Sequence, residues 1–132
     1  MSNSNILVVE DDFAIRNLIT TALEMENYKY RIAKSGDQAI IEAATQYPEL
    51  ILLDLGLPDM DGVDVIKKIR SWSTVPIIVI SARSDDKDKI DALDAGADDY
   101  VTKPFSTAEL LARIRGTYRR IMYFQNNLQG GE

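Results

Sequence analysis

Reactive side chains stand at the ends of four predicted strands in this 132-residue sequence. Carboxylates follow the first strand at Glu10 and Asp11, and another follows the third strand at Asp54. A hydroxyl ends the fourth strand at Ser81, and an amine follows the fifth at Lys103. In a parallel sheet, ligands bind beyond the carboxyl ends of the strands. We therefore expect these side chains to converge on one site.

Asp54 is the candidate nucleophile of that site. It directly follows an unbroken apolar run, residues 50–53, where an ionised carboxylate loses solvent without stabilising the fold. An aspartate can attack phosphorus and form an aspartyl phosphate. Phosphoryl transfer then needs positioning and charge neutralisation, which a metal ion, the Lys103 ammonium and the Ser81 hydroxyl would supply. Taken singly, each of these residues could instead be an ordinary loop, cap or surface residue.

Glu10 and Asp11 are the candidate metal ligands. Asp12, the third acid of the run, is expected to cap the first helix, and one cap needs only one side chain. Two further carboxylates beside Asp54 would repel one another unless a cation lay among them. Oxygen ligands suit a hard cation, so the pattern predicts Mg²⁺ that retains several waters.

The composition excludes several other kinds of chemistry. The chain has no histidine and no cysteine, which rules out Ser-His-Asp and Cys-His mechanisms, His- or Cys-ligated metals and disulfides. Its formal net charge of −6 opposes attraction to nucleic-acid phosphates, so direct DNA binding by this segment is not expected. Neither a membrane helix nor a signal peptide is visible, which predicts a cytoplasmic protein without membrane contact.

The hydrophobic pattern predicts an α/β fold. Short apolar or alternating runs indicate strands near residues 5–10, 28–32, 50–53, 77–80 and 100–102. Helical spacing lies between them, and in the fourth helix Ile90 and Leu93 are expected to face inward. Alternation of five strands with five helices predicts a doubly wound parallel sheet covered on both faces. The last helix is predicted to end near Arg120, so that residues 1–120 form one domain and residues 121–132 a linker or tail.

The motifs resemble those of the receiver domains of two-component response regulators. The resemblance spans roughly residues 6–120 and is carried by residues 8–12, 53–55, 58–62, 80–82, 96–100 and 103–105. Several segments are most similar to the OmpR/PhoB subfamily, in which a DNA-binding output domain follows the receiver. The resemblance implies the flavodoxin-like strand order 2-1-3-4-5. It also implies that residues 121–132 lead to an output domain missing here, and that DNA is bound only through that domain.

For the site, the resemblance implies that Asp54 accepts a phosphoryl group from the phosphohistidine of a sensor kinase. Asp11 and Asp54 would ligate Mg²⁺ together with the backbone carbonyl of Gly56, and Glu10 would act partly through water. The Lys103-Pro104 peptide bond is expected to be cis. The chain would catalyse only its own phosphorylation and dephosphorylation and would not otherwise be an enzyme.

The resemblance further implies a switch and a homodimer. Phosphorylation would draw Ser81 toward the phosphoryl group and let Tyr100 turn inward. Two copies would then pair through the fourth helix, the fifth strand and the fifth helix, with apolar contacts near Ile90, Leu93 and Leu110. The expected ion pairs across that dimer are Lys89 with Glu109, Asp99 with Arg113, and Asp94 with Arg115. Without the resemblance, Tyr100 is a packed strand residue and the charges belong to solvated helix faces.

Three other functions share parts of this pattern. Haloacid-dehalogenase-like phosphatases also use a strand-end Asp with Mg²⁺, but they place a second Asp two residues later, where this chain has Gly56. A flavodoxin-like FMN carrier shares the fold, but the acidic first turn would repel a flavin phosphate. A pseudo-receiver that only binds other proteins would not require Asp54, Ser81 and Lys103 together.

Overall fold

Five strands alternate with five helices over residues 5–130, the part of the chain that the computed structural model describes; side chains are described for residues 5–125. The strands are β1 (Ile6–Val9), β2 (Tyr30–Ala33), β3 (Leu50–Leu53), β4 (Ile77–Ser81) and β5 (Asp99–Thr102). The helices are α1 (Phe13–Met25), α2 (Gly36–Gln46), α3 (Gly62–Arg70), α4 (Asp86–Ala95) and α5 (Thr107–Gly130).

The strands form one parallel sheet in the order β2-β1-β3-β4-β5. The predicted doubly wound fold and its strand order are thereby confirmed. All residues of β1 and β3 are buried, because helices cover both faces of the sheet centre. The direction of winding reverses between β1 and β3, so the crevice for a ligand lies beyond the carboxyl ends of these two strands.

Alternate residues of the central strands supply two separate cores. Leu7, Val9, Ile51 and Leu53 face one side of the sheet, where they pack with residues of α2, α3 and α4. Their neighbours along β1 and β3 face the other side and pack with α1 and α5. Because successive side chains point to opposite faces, each central strand ends between two packed layers.

The loop from β3 to α3 passes close to the backbone of Asp54. The Gly62 amide donates to the Leu55 carbonyl at 2.8 Å. A Cβ at Gly62 would lie 2.6 Å from the Leu55 Cα and 2.8 Å from the Asp54 carbonyl oxygen. Only a glycine therefore allows the start of α3 to approach this closely.

Replacing Gly62 by Ala should displace this loop. We expect a loss of about 1 to 3 kcal/mol in the free energy of unfolding, because the added methyl group meets backbone atoms that cannot rotate away. Urea denaturation measures the effect. Gly116→Ala in α5 is the matched control, since its Cβ would meet nothing closer than 3.6 Å, and it should stabilise the helix slightly. Equal stability of the two variants would contradict this explanation.

The expected inward orientation of Ile90 and Leu93 in α4 is wrong. Ile90 is 54% exposed and Leu93 is 45% exposed, whereas the buried residue of this helix is Ala92. The small Ala92 side chain lets α4 lie close to the sheet, which turns the two larger side chains toward solvent. Both therefore lie where the predicted dimer face needs them.

The predicted end of the last helix near Arg120 is also wrong, because α5 continues to Gly130. No glycine or proline occurs between Gly116 and Gly130, and the apolar stripe of Leu110 and Ile114 continues to the half-buried Ile121. Residues 121–130 are thus helical and not an irregular tail, while residues 131–132 lie outside the described residues. Whether this segment leads to an output domain stays a prediction.

No helix among the described residues is both long and apolar enough to cross a lipid bilayer.

Leu110 does not belong to an outer surface. It is fully buried, in the core formed with α1 and the central strands. The prediction that it contributes an apolar contact to a dimer is therefore wrong, since a second copy cannot reach it.

Candidate functional site

Three of the predicted carboxylates lie together at the carboxyl ends of β1 and β3. Glu10, Asp11 and Asp54 each offer a carboxylate oxygen, and these oxygens lie within 4.8 Å of one another. The Asp54 amide donates to the Val9 carbonyl at 3.0 Å, which holds the ends of the two strands side by side. Glu10 and Asp54 are buried, whereas Asp11 is exposed. The cluster therefore has a buried floor and one side open to solvent.

Lys103 closes the cluster from the side of β5. Its Nζ lies 3.0 Å from Glu10 Oε1 and 3.4 Å from Asp54 Oδ1. The Lys103 amide donates to the Ser81 carbonyl at 2.8 Å, which ties the loop after β5 to the end of β4. The Lys103-Pro104 peptide bond is cis, so that expectation is confirmed.

Burial and charge act in opposite directions on these groups. Burial raises the pKa of the Glu10 carboxyl, and the negative charge of Asp54 raises it further, while the hydrogen bond and charge of Lys103 lower it; the net shift is upward. Burial lowers the pKa of the Lys103 ammonium, but its contacts with Glu10 and Asp54 outweigh that effect and leave the pKa above its usual value. One ammonium thus faces two buried carboxylates, and a further cation would be attracted to the site.

The donor set fits Mg²⁺. All three side chains offer oxygen, the exposed position of Asp11 leaves one side accessible to water, and Mg²⁺ is usually held by one or two carboxylates with several waters. Gly56 is exposed and borders the cluster, since a Cβ there would lie 3.9 Å from Asp54 Oδ2. Its role as a carbonyl ligand stays a prediction.

Ser81 and Tyr100 both contact Arg83, in the loop that follows β4. The buried Ser81 hydroxyl accepts a hydrogen bond from the Arg83 amide at 3.0 Å. The half-buried Tyr100 donates its hydroxyl proton to the Arg83 carbonyl at 2.7 Å. The two predicted switch residues are therefore connected through the backbone of a single residue.

Two aspartates that the sequence did not single out organise the loop after β3. Asp61 caps α3 through the Val63 amide at 2.9 Å and forms an ion pair with Arg83 at 3.1 Å. Asp59 accepts hydrogen bonds from the amides of Gly36 and Asp37 at the start of α2, and these bonds lower its pKa. The contacts with Arg83 and with α2 join residues distant along the chain and leave no local sequence signal, whereas an Asp directly before a helix has a recognisable N-cap pattern.

The charged residues predicted to pair across a dimer are partly paired within the chain. Arg113 lies 3.0 Å from Asp99 and 3.0 Å from Glu109 of the same chain. Asp94 and Arg115 are exposed, and Lys89 is half-buried. A dimer using these residues would therefore exchange at least one internal ion pair for an external one.

The fold and this arrangement of residues define a known class of protein. Residues 6–115 match the family described as the response regulator receiver domain. The chain belongs to that family and is the receiver domain of a two-component response regulator.

Its relatives include regulators named KdpE, which are of the OmpR/PhoB type, and this confirms the predicted resemblance to that subfamily. The chain is 54% identical over 117 residues to the KDP operon transcriptional regulatory protein KdpE of Escherichia coli, covering 89% of this chain and 52% of that protein. It is 49% identical over 115 residues to KdpE of Mycobacterium tuberculosis, covering 87% and 51%. The chain therefore spans about half the length of the curated relatives it matches.

Solved structures of receiver domains share the fold. The BeF3-activated N-terminal receiver domain of Klebsiella pneumoniae RstA is 34% identical, with a TM-score of 0.84, and the match covers 88% of this chain and 99% of that one. A two-component response regulator from Clostridium difficile is 29% identical, with a TM-score of 0.87, and the match covers 90% and 98%.

Proposed function

We propose that Asp54 accepts a phosphoryl group from the phosphohistidine of a sensor kinase. Asp11, Asp54 and the Gly56 carbonyl would hold Mg²⁺, with Glu10 acting partly through water. The observation that carries the proposal is the grouping of the three carboxylates within 4.8 Å of one another beside the Lys103 ammonium. The 132 residues contain no histidine, so the phosphohistidine donor lies outside this sequence.

The site residues have separate roles in this transfer. A carboxylate oxygen of Asp54 forms the new bond to phosphorus while the bond from phosphorus to the donor nitrogen breaks. Bound Mg²⁺ supplies positive charge that neutralises phosphoryl oxygens. Lys103 is already held 3.4 Å from Asp54 by its hydrogen bond to Glu10, so its ammonium can donate to another phosphoryl oxygen without a large rearrangement.

The link through Arg83 supplies a route from the phosphoryl group to the surface. To donate its hydroxyl proton to a phosphoryl oxygen, Ser81 has to approach Asp54, which strains or breaks its hydrogen bond with the Arg83 amide. A shift of Arg83 also shifts the carbonyl that Tyr100 contacts on β5. The loop after β4 is thus the element whose two positions would transmit phosphorylation to α4 and β5.

The surface of α4, β5 and α5 is the proposed dimer face. Exposed Ile90 and Leu93 supply apolar area there. The flanking charges are opposite in sign, with Asp94 on α4 and Arg115 on α5, so a two-fold axis brings unlike charges together. Exposed ion pairs contribute only about 0 to 1 kcal/mol each, so the two apolar side chains should supply more of the affinity.

Replacing Leu93 by Ser should weaken the dimer. After activation with beryllium fluoride and Mg²⁺, we expect the dimer dissociation constant to rise about tenfold, because each of the two copies loses an apolar contact and the two losses together should cost about 1.4 kcal/mol. Sedimentation velocity measures the change. Leu18→Ser on α1 is the matched control, since Leu18 is 44% exposed and Leu93 is 45% exposed. Equal dimerisation of the two variants would exclude this face.

The function itself is tested by incubation with acetyl phosphate in the presence of Mg²⁺ or EDTA. Intact mass should rise by one phosphoryl group with Mg²⁺ only, and peptide mapping should place it on Asp54. If the protein took up no phosphoryl group from any donor, the result would support the alternative that it is a pseudo-receiver that only binds other proteins. Sustained hydrolysis of p-nitrophenyl phosphate would instead indicate a phosphatase and contradict the proposal that the chain acts only on its own aspartyl phosphate. We also propose that the protein is cytoplasmic and that it binds DNA only through an output domain.

A further inference from the structure

Arg16 contacts the acidic loop in a way that no prediction for the site included. It lies in the first turns of α1, and one of its terminal nitrogens, Nη1, donates to the Glu10 carbonyl at 3.1 Å and to the Asp11 carbonyl at 3.2 Å. Each guanidinium nitrogen of this kind carries two hydrogens, so both bonds can form at once. A single side chain thus holds two consecutive peptide groups of the loop that carries the acids.

The guanidinium is itself held in place. Arg16 is half-buried as a residue, and its guanidinium lies over the exposed Phe13 ring, with 5.5 Å between the Arg16 Cζ and the ring centroid. The Arg16 amide donates to the Asp12 carbonyl at 2.9 Å, which fixes the first turn of α1 against the same loop. Arg16 therefore connects α1 to the loop through several contacts, and we call it a brace.

The two acids differ in how their orientation is fixed. The buried Glu10 side chain is held by Lys103 on one oxygen and by the Asp12 amide at 3.2 Å on the other. Asp11 is exposed, so packing restrains its carboxylate less than that of the buried Glu10. Its direction depends on the backbone from Glu10 to Asp12, which is the segment that Arg16 holds.

We propose that Arg16 is a positioning residue for the metal site, which aims the Asp11 carboxylate at the space beside Asp54 by holding the carbonyls of Glu10 and Asp11. The proposal rests on the proposed Mg²⁺ site. The proposal predicts an effect on Mg²⁺ affinity that is opposite in sign to the effect of charge alone. Removing a cation near three acids should by itself strengthen Mg²⁺ binding, whereas loss of the brace should weaken it.

The test measures Mg²⁺ binding by isothermal titration calorimetry on the unphosphorylated protein. We expect Arg16→Met to raise the Mg²⁺ dissociation constant about tenfold, the lower end of the effect of removing groups that orient metal ligands. Arg16→Lys keeps the charge and N–H donors on a shorter side chain and should fall between Arg16→Met and wild type. Unchanged or tighter Mg²⁺ binding by Arg16→Met would overturn the proposal.

Lys34→Met is the matched control for charge. Lys34 lines the same surface groove beside α1 as Arg16, and its removal also takes one positive charge from this side of the molecule. Mg²⁺ binding by this variant should be unchanged or slightly tighter. A loss equal to that of Arg16→Met would overturn the proposal, because the brace would then not be the cause.

Two further measurements separate positioning from folding and from the proposed function. Thermal unfolding of all variants in EDTA shows which of them fold. If Arg16→Met does not fold, the test is made with Arg16→Lys. Several-fold weaker Mg²⁺ binding by Arg16→Lys would then support the proposal, and binding equal to wild type would overturn it. At saturating Mg²⁺, phosphoryl uptake from acetyl phosphate by Arg16→Met should return to the wild-type rate, and a persistent defect would contradict a role through the metal. If wild type takes up no phosphate while Arg16→Met still weakens Mg²⁺ binding, the proposed function fails and the brace stands.

Discussion

Replacing Asp54 by Asn should abolish phosphoryl uptake. An amide oxygen is too weak a nucleophile to form the bond to phosphorus, and no other described carboxylate lies at the carboxyl end of β3. The fold should survive, because Asn matches Asp in size and its amide oxygen can still accept a hydrogen bond from Lys103. In the wild-type chain, Lys103 Nζ lies 3.4 Å from Asp54 Oδ1. Intact mass after incubation with acetyl phosphate and Mg²⁺ measures the loss.

Asp64→Asn is the control for that experiment. Asp64 is an exposed acid in the first turn of α3, outside the carboxylate cluster, and the variant should take up phosphate as wild type does. Residual uptake by Asp54→Asn at more than a trace would mean that another group, such as Asp11, is the acceptor. The assignment of the nucleophile would then be wrong.

Replacing Lys103 by Met should impair both stability and phosphoryl uptake. Its removal leaves Glu10 and Asp54 buried without their cation, which should cost about 3 kcal/mol of unfolding free energy in the absence of Mg²⁺. Uptake from acetyl phosphate at saturating Mg²⁺ should fall about 10²-fold, because a preorganised donor to the phosphoryl group is lost. Urea denaturation and time-resolved intact mass measure the two effects.

Two variants check the cause of the Lys103 effect. Glu10→Gln in the Lys103→Met background should regain part of the stability, since one unpaired buried charge is removed, but it should not regain phosphoryl uptake. Addition of Mg²⁺ should stabilise Lys103→Met more than wild type, because the metal then supplies the missing positive charge. If Lys103→Met is as stable as wild type in EDTA, the ammonium does not neutralise these acids in the way described.

The site was predictable because each of its residues ends a strand or lies within two residues of its end. Glu10, Asp54, Ser81 and Lys103 could be assigned to strand ends from the apolar runs before them, and a parallel sheet brings such ends together whatever the helices do. The short distance between β1 and β3, and hence the contact of Glu10 with Asp54, followed from the strand order that the resemblance implied.

The sequence does not predict which face of a helix is buried when both faces carry apolar residues, nor the direction in which a long charged side chain points. In α4, apolar residues occupy two sides of the helix, and only packing against the sheet decides that Ala92 is buried while Ile90 and Leu93 are exposed. The contacts of Arg113 with Asp99 and of Arg16 with the acidic loop depend on side-chain directions. Periodicity carries no information about those directions.

The sequence is compatible with the full length of α5. The apolar stripe continues to Ile121, and no glycine or proline follows before Gly130. Residues 125–132 are mostly polar and contain glycine, which favours a linker, although an exposed helix can be equally polar. Composition alone therefore does not separate a linker from the exposed end of a helix.

The most direct test of the metal-assisted site is a crystal grown with beryllium fluoride and Mn²⁺ in place of Mg²⁺. Anomalous scattering would locate the metal independently of the protein atoms. We expect one peak bounded by the carboxylates of Asp11 and Asp54, with beryllium fluoride on Asp54 and Lys103 beside it. A crystal in which Asp11 turns away from Asp54 and no anomalous peak lies between them would contradict the proposed site.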